Sequence, residues 1–70
     1  MKFEIAWEFI QFRMKALKVN LKYECEKHGF KYATIQNALS KKLDIKSSQL
    51  IFLAEILQCD IQDLFRKKVH

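Results

Sequence analysis

A single glycine in a chain without proline is the feature that most constrains this fold. All-β chains need many tight turns, and Gly and Pro supply most of the backbone conformations that such turns require. Gly29 lies between two helical patterns, where a left-handed residue can end one helix and turn the chain into the next. The sequence therefore predicts an all-α fold with a tight helix–turn–helix at Gly29.

The size of the chain predicts a single domain over residues 1–70, with one small hydrophobic core. A chain of 70 residues cannot easily frame a cofactor fold or a substrate cleft, and no catalytic constellation is visible in it. We therefore expect neither an enzyme nor a cofactor. Two cysteines do not form a disulfide framework, which favours a cytoplasmic location. Glu4, Glu8 and Arg13 interrupt the apolar N-terminus, so we predict neither a signal peptide nor a membrane span.

The spacing of hydrophobic residues predicts five short helices. Helix one covers residues 3–18, and helix two covers residues 21–28 with Asn20 as its N-cap. Helix three covers residues 31–41 and helix four covers residues 50–57.

Helix five begins after a cap at Asp60, and Asp63 adds negative charge to its first turn. Ser47 and Ser48 lie in a polar stretch before helix four, and the basic tail at residues 66–70 is expected to fray. The predicted core residues of the last three helices are Ile35, Ala38, Leu39, Leu50, Leu53, Ala54, Leu57, Ile61, Leu64 and Phe65.

Helix one carries two apolar stripes. The first stripe consists of Phe3, Trp7, Ile10, Met14 and Leu17. The second lies roughly opposite and makes Ile5, Phe9 and Phe12 a candidate protein interface, because a surface helix needs only one apolar face. Two alternatives stay open. In the first, the helix is central and buried on both sides. In the second, residues 3–9 form a short strand that needs the edge of a partner strand.

The C-terminal half carries a family pattern. The run LAEILQCDIQDLF spans residues 53–65 and fits that pattern at Leu53, Ala54, Leu57, Leu64 and Phe65. With the Gly29 turn and Arg13 near the end of helix one, the chain resembles the XRE/Cro-type helix–turn–helix regulators of phages and mobile elements. The resemblance covers about residues 5–65. It implies a compact five-helix lambda-repressor-like domain that regulates transcription by binding double-stranded DNA as a dimer through helix three.

A second register of the same motif is also open. It places Asp44 at the turn and uses Leu39, Ser40, Leu43, Ile45, Leu50 and Leu53. The recognition helix would then expose Ile51 and Phe52, which suit a protein partner better than DNA.

Helix three supplies the side chains that can read DNA in the first register. Gln and Asn can each make two hydrogen bonds to an adenine edge in the major groove, and lysines can reach guanine or phosphate. A lysine at the start of helix two can meet phosphate beside the helix N-terminus. The net charge of +5 is favourable for binding DNA. The candidate DNA-binding residues are Lys22, Lys31, Thr34, Gln36, Asn37 and Lys41.

Two other functions are carried as alternatives. Glu24 and His28 stand where the family usually has apolar residues. Together with the second stripe of helix one, they favour an antirepressor, which binds and inactivates a repressor protein. A structural zinc site would draw on Cys25, His28, Cys59 and His70. Only Cys25 and His28 are closely spaced, so we expect no metal, with Cys25 in the core and Cys59 in the turn before helix five.

Overall fold

The computed structural model describes residues 3–42 and 44–67. Within those ranges the chain is mostly helical, with four α-helices, one 3-10 helix and a two-stranded sheet. In chain order the elements are β1 (Phe3–Ile5), α1 (Trp7–Ala16), α2 (Leu21–His28), α3 (Tyr32–Lys41), α4 (Ser47–Ile56), the 3-10 helix (Ile61–Leu64) and β2 (Phe65–Lys67).

The first element corrects the prediction of a helix over residues 3–18. β1 pairs antiparallel with β2, with Glu4 opposite Arg66 and Ile5 opposite Phe65. The alternative of a short N-terminal strand is therefore confirmed for residues 3–5. Arg66 Nε lies 3.1 Å from Glu4 Oε1 across the two strands. The pairing joins residues about sixty positions apart, so no local periodicity could reveal it.

The last predicted helix is also corrected. Residues 61–64 form a 3-10 helix, and Phe65 leaves it for β2. The Leu64 carbonyl accepts a hydrogen bond from the Ala6 N–H at 2.7 Å. This carbonyl is therefore not free to accept the hydrogen bond from a later N–H that a longer helix would require. Asp63 Oδ2 accepts from the Asp60 N–H at 3.1 Å and closes the start of this turn. Of the predicted fraying tail, Arg66 and Lys67 belong to β2, and residues 68–70 lie outside the described ranges.

The core forms where α4 is surrounded by the other elements. Leu53 and Leu57 are fully buried, and Phe52 is 2% exposed. Ile10 from α1 and Leu64 from the 3-10 helix are also fully buried. The second register of the helix–turn–helix motif is therefore wrong, because it needs Phe52 on a free surface. Ile51 alone is exposed there.

Three of the four described α-helices end in the same way. A residue with a positive φ follows the last turn of each helix, at 53° for Lys18, 81° for Gly29 and 54° for Gln58. In each case the next residue donates its N–H to the carbonyl five positions earlier, as Val19 does to Met14 at 3.0 Å. This is a Schellman motif, which satisfies carbonyls that the helix leaves open. Only one of the three carries the glycine that marks such an end in a sequence.

Arg13 fastens α1 to the end of α4. Its Nε donates to the Leu57 carbonyl at 2.9 Å, and its Nη2 donates to the Gln58 carbonyl at 3.3 Å. A cation at the C-terminal end of a helix also interacts favourably with the helix dipole. The side chain therefore holds together two elements that lie about 45 positions apart in the sequence.

Candidate nucleic-acid interface

The corner between α2 and α3 forms as the sequence predicts. Asn20 caps α2 by accepting a hydrogen bond from the Tyr23 N–H at 3.1 Å. The helix ends at His28, and Gly29 takes a left-handed conformation with φ 81° and ψ 22°. The Phe30 N–H then donates to the Cys25 carbonyl at 2.8 Å. Both predicted limits of helix two and the left-handed glycine are confirmed.

Aromatic packing fixes the direction of the chain after the corner. The ring of Phe30 stacks on that of Phe52 from α4, with centroids 4.5 Å apart and planes at 27°. His28, at the end of α2, packs against the same Phe52 ring, with centroids 5.1 Å apart. Since Phe52 is buried in the core, α4 anchors the residues on both sides of Gly29.

His28 also bridges two helices through polar contacts. Its Nε2 lies 3.7 Å from Glu24 Oε2 on α2, and its Nδ1 lies 3.8 Å from Glu55 Oε2 on α4. Its ring meanwhile covers Phe52. His28 is a polar residue at a position where an apolar residue is expected, but its ring packs as an aromatic side chain does.

The helix after the corner has one buried face and one free face. Ile35, Ala38 and Leu39 are at most 6% exposed, which confirms the predicted inward face of α3. At about 100° per residue, the direction opposite these three passes between Ala33 and Asn37. The remaining residues of α3 are exposed: Tyr32, Ala33, Thr34, Gln36, Asn37, Ser40 and Lys41.

The structure places all six candidate DNA-binding residues in solvent. Thr34, Gln36 and Asn37 lie on the exposed part of α3. Lys31 is the N-cap residue of α3 and Lys41 is its last residue, so a cation stands at each end of the helix. The sixth, Lys22, is instead the second residue of α2.

The two amide side chains of α3 are not equivalent. Gln36 Nε2 donates to Ser40 Oγ at 3.3 Å, and that hydroxyl donates to the Gln36 carbonyl at 2.8 Å. Among the described residues, the side chain of Asn37 makes no such hydrogen bond. Its amide is therefore the one on this face with both its donor and its acceptor open to a ligand.

The segment of sequence that contains α3 carries charges of one sign. From Lys27 to Lys42, with both of these residues included, the sequence contains four lysines and no Asp or Glu. The nearest carboxylates in the sequence are Glu26 on one side and Asp44 on the other. A helix whose flanking residues in the chain carry only positive charge favours a polyanionic partner.

Sequence reasoning missed three side chains near this face. Tyr23 is 57% exposed and Tyr32 is 39% exposed, one on each side of the Gly29 corner. Lys42 follows α3 with a left-handed backbone and adds a second cation beside Lys41. Tyrosine hydroxyls and lysines both contact phosphates in DNA complexes. The sequence shows two tyrosines within six residues of the predicted turn, but only the structure shows that both are exposed.

The predicted protein interface is not one helical stripe. Ile5 lies on β1, and it packs against the core together with Phe9 of α1. Only Phe12 stands clear of the core, with 68% of its surface exposed. The patch around Ile51 is likewise reduced to that one side chain, because Phe52 is buried.

The thiol and imidazole groups do not assemble a metal site within residues 3–42 and 44–67. Cys25 is fully buried, as predicted, and burial raises the pKa of its thiol, with Glu24 and Glu26 adding to the effect. Burial also raises the pKa of the Cys59 thiol, and the nearby negative charge of Asp63 raises it further. The remaining candidate ligand, His70, lies outside the described residues.

Comparison of the chain with protein-family models, with curated proteins and with solved structures gives no significant match. No helix in the described ranges is long and apolar enough to cross a lipid bilayer.

Proposed function

We propose that this chain is a small cytoplasmic transcriptional regulator of the lambda-repressor-like helix–turn–helix type, which binds double-stranded DNA as a dimer. The observation that carries the proposal is the free face of α3. It is polar, it is bordered by lysines without an intervening carboxylate, and its other side is anchored in the core.

The proposed contacts are of two kinds: contacts to base edges, which recognise the DNA sequence, and contacts to phosphates, which position the protein on the DNA. Asn37 reads an adenine edge through its free amide, with Gln36 and Thr34 beside it. Lys31 and Lys41 contact the phosphates or guanines at the two ends of the helix, and Lys22 contacts a phosphate from α2. A helix of this length, about 15 Å, fits within the major groove.

The test is a fluorescence-anisotropy titration against the DNA that flanks the gene for this chain. Asn37→Ala should reduce discrimination between that DNA and unrelated DNA by about 1–3 kcal/mol, because a bidentate base contact is lost. Lys31→Ala should weaken binding to both DNAs and lower the slope of log K against log salt by about 0.9. Gln62→Ala removes an exposed amide on the 3-10 helix and serves as the matched control.

The expected control result is unchanged binding. A flat titration of the unaltered protein at low salt would overturn the proposal. So would an Asn37→Ala variant that binds both DNAs as the unaltered protein does.

A second candidate function is an antirepressor that binds a repressor protein. The observation that favours it is the exposure of Phe12, which is 68%. Phe12→Asp should then abolish co-elution with a repressor encoded next to this chain, while Glu26→Lys, an exposed change on α2, should leave it intact. Two unchanged peaks for the unaltered proteins in size-exclusion chromatography would count against this function. Phe9 is a poor site for this test because it packs against the core.

A further inference from the structure

The outer face of α1 has a charge pattern that fits a second copy of itself. Ile10 is fully buried and fixes which side of α1 faces the core. About 180° away from it on the helix lie Glu8, Phe12 and Lys15, all of them exposed. The face therefore has a carboxylate near its N-terminal end, an aromatic ring in the middle and an ammonium group near its C-terminal end.

Helix geometry aligns these three side chains. Seven residues separate Glu8 from Lys15, which is almost two full turns, so both point in nearly the same direction about 10 Å apart. The side chain of Glu8 is 81% exposed, and its contact with Arg66, 3.6 Å long, leaves most of the carboxylate in solvent. Lys15 has no ion-pair partner within the part of the chain that the structure describes.

We propose that α1 pairs antiparallel with the α1 of a second copy of this chain around a two-fold axis. An axis that passes between Gln11 and Phe12 places Glu8 opposite Lys15 of the second copy, and the reverse pair forms at the other end. The two Phe12 rings meet beside the axis. An interface of this kind is isologous, so every contact occurs twice.

The polarity of the helix matters to this choice of partner. A parallel pairing of two copies would set Glu8 against Glu8 and Lys15 against Lys15, which costs free energy. The antiparallel arrangement converts both like-charged contacts into attractive ones. One helix about 15 Å long covers less area than a standard stable interface, so self-association is weak without DNA.

This inference rests on the proposed function only in assigning the dimer a role in binding two DNA half-sites. Self-association itself is measured without DNA, by sedimentation equilibrium of the full chain. Glu8→Lys and Lys15→Glu should each weaken self-association at least about tenfold, because each creates two repulsive contacts per dimer. An equimolar mixture of the two variants should associate as the unaltered protein does, since opposite charges face each other again.

The double variant Glu8→Lys with Lys15→Glu should also self-associate like the unaltered protein. Phe12→Ser should abolish association while keeping the melting temperature, because the ring is mostly in solvent. Glu26→Lys and Lys27→Glu make the same charge changes on α2 and should leave association unchanged. Circular dichroism melts show whether each variant is folded, including Glu8→Lys, which loses the contact with Arg66.

Three results would overturn the inference. They are an unaltered protein that stays monomeric at about 1 mM, a variant mixture that associates no better than its components, and α2 controls that weaken association equally. Rescue by the charge swap without any DNA binding would overturn the proposed function alone. DNA binding without rescue would overturn the α1 pairing alone.

Discussion

Replacing Gly29 with alanine tests how much of the fold depends on the left-handed corner. The glycine has φ 81°, a conformation that costs an L-residue about 1–2 kcal/mol. A β-carbon added at this position would meet no atom within 4 Å, so the substitution introduces no clash. Alanine also restricts the unfolded chain, which returns about 0.4–1 kcal/mol. The expected net loss in the free energy of unfolding is therefore about 1 kcal/mol.

Urea and thermal denaturation measure this loss. For a domain of this size, 1 kcal/mol corresponds to a fall in Tm of about 4–8 °C. Gly29→Asn should lose less than Gly29→Ala, because asparagine tolerates the left-handed region better than alanine does. If Gly29→Ala is as stable as the unaltered protein, the corner is not held in the left-handed conformation and the reasoning fails.

The opposite substitution applies at the two other helix ends of the same type. Lys18→Gly and Gln58→Gly should each raise the free energy of unfolding by up to about 1 kcal/mol, because both residues now hold positive φ angles without being glycine. A lower urea midpoint for both variants would contradict this. Arg13→Met should lower the free energy of unfolding by about 1.5–3 kcal/mol, because charge-assisted hydrogen bonds to the Leu57 and Gln58 carbonyls are lost. Arg13→Lys, the control that keeps the charge, should recover part of that loss; equal stability of Arg13→Met and the unaltered protein would refute the role of Arg13.

Local sequence patterns predicted the part of the fold that surrounds the candidate interface. Asn20 and Gly29 mark the two ends of α2 through interactions within a few residues, so the sequence shows them directly. The inward face of α3 follows from the spacing of Ile35, Ala38 and Leu39, because helical periodicity depends only on neighbours three and four positions away.

The same reasoning failed where a distant segment decides the local structure. Phe3–Ile5 has both a helical and an alternating pattern, and hydrogen bonds to Phe65–Lys67 select the strand. That pairing also ends the last helix early, since the Leu64 carbonyl accepts from Ala6. Residues near the two ends of the chain meet here, and no window of one helix length contains both.

Taken by itself, the sequence determined the mostly helical fold, the limits of α2, and the polar, lysine-bordered face of α3. Each depends on propensity, capping or periodicity within about four residues. Only the tertiary structure decided that Phe12 is the exposed aromatic of α1, that Phe52 is buried while Ile51 is not, and that Lys18 and Gln58 adopt left-handed conformations. Those outcomes depend on which distant elements cover each side chain, and in α1 and α4 the spacing of apolar residues does not show which of them are covered.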